Sequence, residues 1–127
     1  MKATIQRMSL ALAVTASALA PNLASAATAA DFFAIEQIVI DEVNFSGCMA
    51  RLSPGPQVLG LNCANGFVTF DCKGQLGSAR ADANAKLAAA QLAFVTDTQL
   101  FIRVDDTKKA NGFCLAVRVD NTKNAVP

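Results

Sequence analysis

Leu100–Asp120, LFIRVDDTKKANGFCLAVRVD, reads as two strands closing on a polar turn. Apolar residues alternate through Leu100, Ile102 and Val104, and again through Phe113, Leu115, Val117 and Val119. The intervening positions carry Phe101, Arg103, Asp105, Cys114, Ala116, Arg118 and Asp120. A period of two marks half-buried antiparallel strands. DDTKKANG supplies Asp, Asn and Gly for the turn, and Lys108 and Lys109 keep its tip in water. Two strands alone are marginal in water, so the upstream chain is expected to cover their apolar face.

The rest of the chain divides at its start. Lys2 and Arg7 precede the apolar run Met8–Ala20; Pro21 and Asn22 break that run, and Ala24-Ser25-Ala26 fits a small-x-small cleavage site. The run is shorter than the ~20 residues that span a bilayer. Residues 1–26 therefore read as a secretory signal and 27–127 as one domain, periplasmic or extracellular and not membrane-embedded. Without Lys2 and Arg7, 11 Lys and Arg become nine against ten Asp and Glu, a net charge near −1. That balance argues against nucleic acid, whose binders displace counterions with a basic surface.

Cys48, Cys63, Cys72 and Cys114 all lie in the exported part, and there is no His. An even number of cysteines in a small exported domain predicts two disulfides rather than a zinc site, which wants Cys-x-x-Cys pairs or His partners. Across the turn in Ser53-Pro54-Gly55-Pro56, counting outward puts Cys48 opposite Cys63, on a strand returning over Val58–Cys63. Cys72 then pairs with Cys114 by elimination.

Phe32–Phe45 reads as a long first strand with a face switch near Asp41-Glu42, as a β-bulge produces; a short helix over Asp31–Glu36 is the alternative. Ala27–Asp31 reads as a loose lead-in and Asn121–Pro127 as a tail. Asn65-Gly66 signals a hairpin into Phe67–Cys72. Ser78 reads as the N-cap of a helix over Ala79–Val95, with Ala81, Ala85, Ala88, Leu92 and Val95 on the face turned to the sheet. The order is strand, strand, strand, helix, strand, strand. It predicts a mainly β, OB-like five-stranded barrel with one helix between strands three and four.

A disulfide tying strand one to strand two, a helix rich in small residues and the basic–apolar strand QLFIRV resemble the B subunits of pertussis-like bacterial toxins. VDDTKKANGFCLAVRVD is similar to the ends of small exported bacterial proteins of undefined role. The toxin resemblance implies ring assembly, a homo-oligomer, and glycan binding. No sugar-binding residue of those subunits maps onto a position here.

Without His, Ser-His-Asp and Cys-His arrangements are impossible within the chain. Asp41, Glu42, Asp71 and Asp105 are the acids from which a carboxylate pair for a small hydrolase would be drawn. Asp105, Asp106 and Asn111 miss the EF-hand spacing, and Lys108 and Lys109 would repel a cation. The composition points to a non-enzymatic protein that works by contact with a protein or glycan, without cofactor or metal. Phe67 and Phe101 sit on the less apolar faces of their strands. An exposed aromatic flanked by arginine is typical of contact hot spots, which selects Phe101, Arg103 and Arg118.

Overall fold

The computed structural model describes residues 27–122; the signal expected over 1–26 and the last five residues of the expected tail lie outside the described residues. Five strands form a closed barrel: β1 (Thr28–Ile40), β2 (Cys48–Ser53), β3 (Phe67–Thr69), β4 (Gln99–Ala110) and β5 (Phe113–Asp120). Around the barrel the order is β1-β2-β3-β5-β4. The helix α1 (Arg80–Thr96) stands between β3 and β4 in the chain, as the element order predicts. Closure removes the unpaired edges that a five-stranded sheet would otherwise present.

Closure depends on β1, which pairs with β4 through Thr28–Ala34 and with β2 through Ala34–Ile40. Ala27–Asp31 is therefore mostly strand, not a lead-in, and Asp31–Glu36 is strand rather than helix. The bend lies at Glu36. Ile35 faces Leu52 and Gln37 faces Arg51, leaving Glu36 as the additional residue of a bulge. Phe33 and Ile35 point inward before it and Ile38 packs on the core after it. The face switch thus comes earlier than Asp41-Glu42. Those two residues lie in a loop, where Asp41 accepts the backbone N–H groups of Val43 (2.7 Å) and Asn44 (3.1 Å).

The closing hairpin departs from simple alternation as well. Ala110 faces Phe113 across Asn111 (φ 51°) and Gly112 (φ 83°), a tight turn that requires two positive φ angles. The eight-residue polar turn is therefore two residues long, and Asp105–Lys109 holds an irregularity inside β4. A second irregularity lies at Val117, between the pairs Arg103–Arg118 and Val104–Ala116. It reverses the parity of β5. Val119 faces inward beyond it, but Cys114 and Ala116 join the core before it, where alternation alone would have placed Phe113 and Leu115.

The disulfides are Cys48–Cys72 and Cys63–Cys114, not Cys48–Cys63 and Cys72–Cys114. The reason lies after Ser53. The chain forms a 3-10 turn at Pro56–Leu59 and does not return along β2. The strand beside β2 is β3, with Met49 opposite Thr69 and the Phe70 N–H donating to the Cys48 carbonyl. That pairing carries Cys72 to Cys48, Cα to Cα 5.7 Å. Cys63 is held at the closing hairpin, where the Ala64 N–H donates to the Gly112 carbonyl, and it bonds to Cys114.

The helix presents the face opposite to the one expected. Ala83, Ala90 and Ala93 are buried, with Leu87 packed on the core. Ala81, Ala85, Ala88, Leu92 and Val95 are all exposed. Burying alanines brings the helix backbone close to the barrel. The half-buried Lys86 also points inward, and its Nζ donates to the Ala116 carbonyl at 3.0 Å, beside the β5 irregularity. Burial holds the Lys86 ammonium below the usual lysine range, against the opposing pull of Asp82 and Asp71. The N-cap position falls to Ala79, which makes no side-chain cap; Ser78 is engaged elsewhere.

Candidate functional site

Ser78 is engaged by Asp71. This carboxylate is wholly buried at the end of β3, with φ at 63°. It accepts the Ser46 hydroxyl, the Leu76 N–H (3.1 Å to each oxygen) and the Ser78 N–H (2.8 Å). The Asp71 N–H in turn donates to Thr69 Oγ1, whose hydroxyl lies within 2.6 Å of the Phe45 carbonyl and 3.0 Å of the Cys48 carbonyl. Burial pushes the Asp71 pKa up, but the Ser46 hydroxyl and the two N–H donors outweigh it and hold the group below the usual carboxylate range. Such a carboxylate is an ionised structural hub. It ties the loop before β2, the end of β3 and the entry to α1 into one knot.

None of the other acids considered for hydrolysis, Asp41, Glu42 and Asp105, shares a hydrogen-bond donor with Asp71. Asp41 is held low by the amides of its own loop, and Asp105 by the Thr107 hydroxyl and N–H. A cleft of about 470 Å³ is lined by Glu36, Arg51, Leu52, Ser53, Gly55, Gln57, Asn65 and Gly66, and Glu36 is its one acid. The β1 bulge aims Glu36 at Arg51, 3.4 Å away. Sequence reading did not select Glu36, because only the bulge places it here.

Phe101, Arg103 and Arg118 do share one face. Phe33, Ile102 and Val104 point into the barrel, so Phe32, Phe101 and Arg103 point out. The cross-strand rows on this outer face are Phe32–Phe101–Asp120 and Ala30–Arg103–Arg118. Phe32, 38% exposed, meets Phe101 edge to face with ring centroids 5.4 Å apart. Arg118 forks onto Asp120, with Nη2 to Oδ2 at 2.7 Å and Nε to Oδ1 at 3.0 Å. The pair lies along β5 and not across strands. Arg103 is exposed opposite Arg118, and among the described residues it makes no ion pair. Like charges directly opposite each other are unfavourable, so the Asp120 fork relieves the pair while Arg103 stays open to an anion.

A second aromatic group stands on the outer side of β3 and β5. Phe113 packs edge to face on Phe45 (4.9 Å) and Phe67 (5.9 Å), and all three rings are half-buried. Phe45 takes a left-handed backbone, φ 57°, which costs an aromatic residue ~1–3 kcal/mol and persists only where the surroundings impose it. Phe67 is the cross-strand partner of Arg51, so this group adjoins the cleft through β2. The β5 parity change is what turned Phe113 outward.

No family model, curated protein or solved structure matches the chain. Among the described residues, no helix is long and apolar enough to cross a membrane.

Proposed function

We propose that this chain is an exported, non-enzymatic binding module of OB-like type, acting outside the cytoplasm through the outer face of β1, β4 and β5. Two disulfides accord with an oxidising compartment, and the leader-like residues 1–26 with export. The observation that carries the reading is the Phe32–Phe101 pair beside an unneutralised Arg103, on a barrel whose core is filled without them. The partner suited to this face is a protein surface that brings an apolar side chain to the two rings and a carboxylate to Arg103. A photo-crosslinking benzoylphenylalanine at position 101, in protein recovered from the periplasm or medium, is expected to give a discrete adduct that Arg103→Glu weakens. No adduct, or the same adduct from exposed Val58, overturns the assignment. A mature N-terminus other than Ala27 overturns the leader boundary.

One observation favours a second reading, a glycan ligand. The cleft offers the Glu36 carboxylate, the Arg51 guanidinium and two side-chain amides within reach of one small polar molecule. Paired charged and amide groups of this kind suit hydroxyl recognition. Calorimetric titration with mono- and oligosaccharides, comparing the wild type with Arg51→Ala, separates the two readings.

A further inference from the structure

We propose that Cys48–Cys72 is a thiol–disulfide exchange site, opened through Cys72 by a dithiol reductant while the barrel stays folded. Cys63–Cys114 is closed to the same reagent. The two bridges differ first in access. Cys63 is 5% exposed and Cys114 0%, so a thiol reaches their sulfurs only when the closing hairpin lifts. Cys48 is 1% exposed, whereas Cys72 is half-buried, the most open cysteine of the four. Exposed Lys73 and Gly74 follow it. The chain beside it is Gly47, which has no side chain to shield it. A Cβ there would stand 3.4 Å from the Cys72 Cβ and 3.0 Å from the Lys73 Cγ. Exchange proceeds by direct attack on a disulfide sulfur, so it is directed by access.

The bridges differ also in what remains when they open. The segments joined by Cys48–Cys72 are joined again on both sides of it. Toward β3, the Phe70 N–H and the Thr69 hydroxyl reach the Cys48 carbonyl at 3.2 and 3.0 Å. Beyond it, the Lys73 N–H donates to the Ser46 carbonyl at 2.9 Å, and the Ser46 hydroxyl donates to buried Asp71. The freed sulfurs therefore stay side by side, and the bond can re-form in place. Cys63 has less to hold it. The segment 54–66 contains no strand. Its hydrogen bonds to the closing hairpin beside the bridge are the Ala64 N–H on the Gly112 carbonyl (3.0 Å) and the Asn62 N–H on Asp106 (3.2 Å).

The reductant is a dithiol of the Cys-x-x-Cys class, whose attacking thiol is substantially ionised near neutral pH. Its thiolate attacks Cys72 Sγ in line with the S–S bond, and Cys48 Sγ leaves with the bonding pair and takes up a proton. The second thiol of the reductant, losing its proton, then attacks the reductant's own sulfur in the mixed disulfide, and Cys72 leaves as a thiolate. The protein bridge gains two electrons and the reductant becomes a disulfide. This site is separate from the face proposed on β1, β4 and β5 and does not depend on that reading.

Timed reduction of the native protein by dithiothreitol, with thiols trapped by iodoacetamide and mapped by mass spectrometry, tests the assignment. Cys48 and Cys72 are expected to label at least about tenfold faster than Cys63 and Cys114. The species with Cys48 and Cys72 reduced should keep its circular dichroism and melt cooperatively at a lower temperature. Glutathione, which has a single thiol, should leave its adduct on Cys72. All cysteines labelling together, Cys63–Cys114 opening first, an adduct on Cys48, or loss of the cooperative melt on opening Cys48–Cys72 each overturns the proposal.

Discussion

Asp71 and Asp120 both accept two or more polar hydrogens, yet they stand at opposite extremes of the molecule. Asp71 is closed off from water and collects a hydroxyl and two amides from segments far apart in the chain. Asp120 lies at the end of β5 and takes its fork from Arg118, two residues away. The difference is one of alternatives. Solvent replaces Arg118 at Asp120 at almost no cost, whereas nothing replaces the donors around Asp71. The Asp71 knot therefore holds the barrel together, while the Arg118 fork adds little to its stability.

The largest break in this contrast is Asp71→Ala. It strands the Ser46 hydroxyl and the amides of Leu76 and Ser78 without acceptors, and should cost about 5 kcal/mol, at roughly 1–3 kcal/mol for each buried donor left unpaired. Denaturant unfolding measures it; a loss under 1 kcal/mol would show that water enters the knot. Next is the double substitution Cys63→Ala with Cys114→Ala. This bridge spans 51 residues, and the loop-closure relation gives about 4 kcal/mol. The Cys48–Cys72 bridge spans 24 residues and should cost slightly less to remove. Equal unfolding midpoints for wild type and either double variant would contradict the pairing.

A pH series sharpens the comparison. The folded-state pKa of Asp71 lies below its unfolded value, so the unfolded chain binds the proton more readily. Its contribution is complete above the unfolded value of 3.8 and is lost as pH falls through the lower folded value. Unfolding free energy should therefore decline below about pH 4, and less steeply in Asp71→Asn than in wild type. Identical slopes would assign the acid loss to Asp41 and Asp105, which are also held low. The smallest effect belongs to Arg118→Ala. It should leave the melting temperature unchanged within error at physiological salt, because the fork is exposed. A clear drop would mean that the outer face supports the fold.

Elements that depend on local chemistry were legible residue by residue. The alternation of Leu100, Ile102 and Val104 follows from the two-residue strand period, and the turn residues of DDTKKANG from φ preferences. The turn itself narrows to Asn111-Gly112, however, and the Asn65-Gly66 hairpin signal belongs to a 3-10 turn. The shared face of Phe101 and Arg103 also follows from the strand period, since no irregularity separates them. What failed was every count carried across an inserted residue or an assumed strand. Glu36 and Val117 each shift parity by one, which moved Ile38 inward and Phe113 outward. The helix shows the same limit. Its outer row has the regular spacing of a buried face, and sequence spacing cannot tell which of two apolar faces meets the barrel.

The sequence by itself determined the kinds and order of elements, and the four cysteines available for bridging, because helix spacing, strand alternation and turn residues act within a few positions. Only the tertiary structure decided which cysteines bond, which face of α1 is buried, and that Asp71 rather than any other acid is enclosed. Each of these depends on closing a five-stranded barrel, where β3 lies between β2 and β5 and brings Cys72 to Cys48. Ring closure is a condition on all strands at once, and no local window of residues contains it.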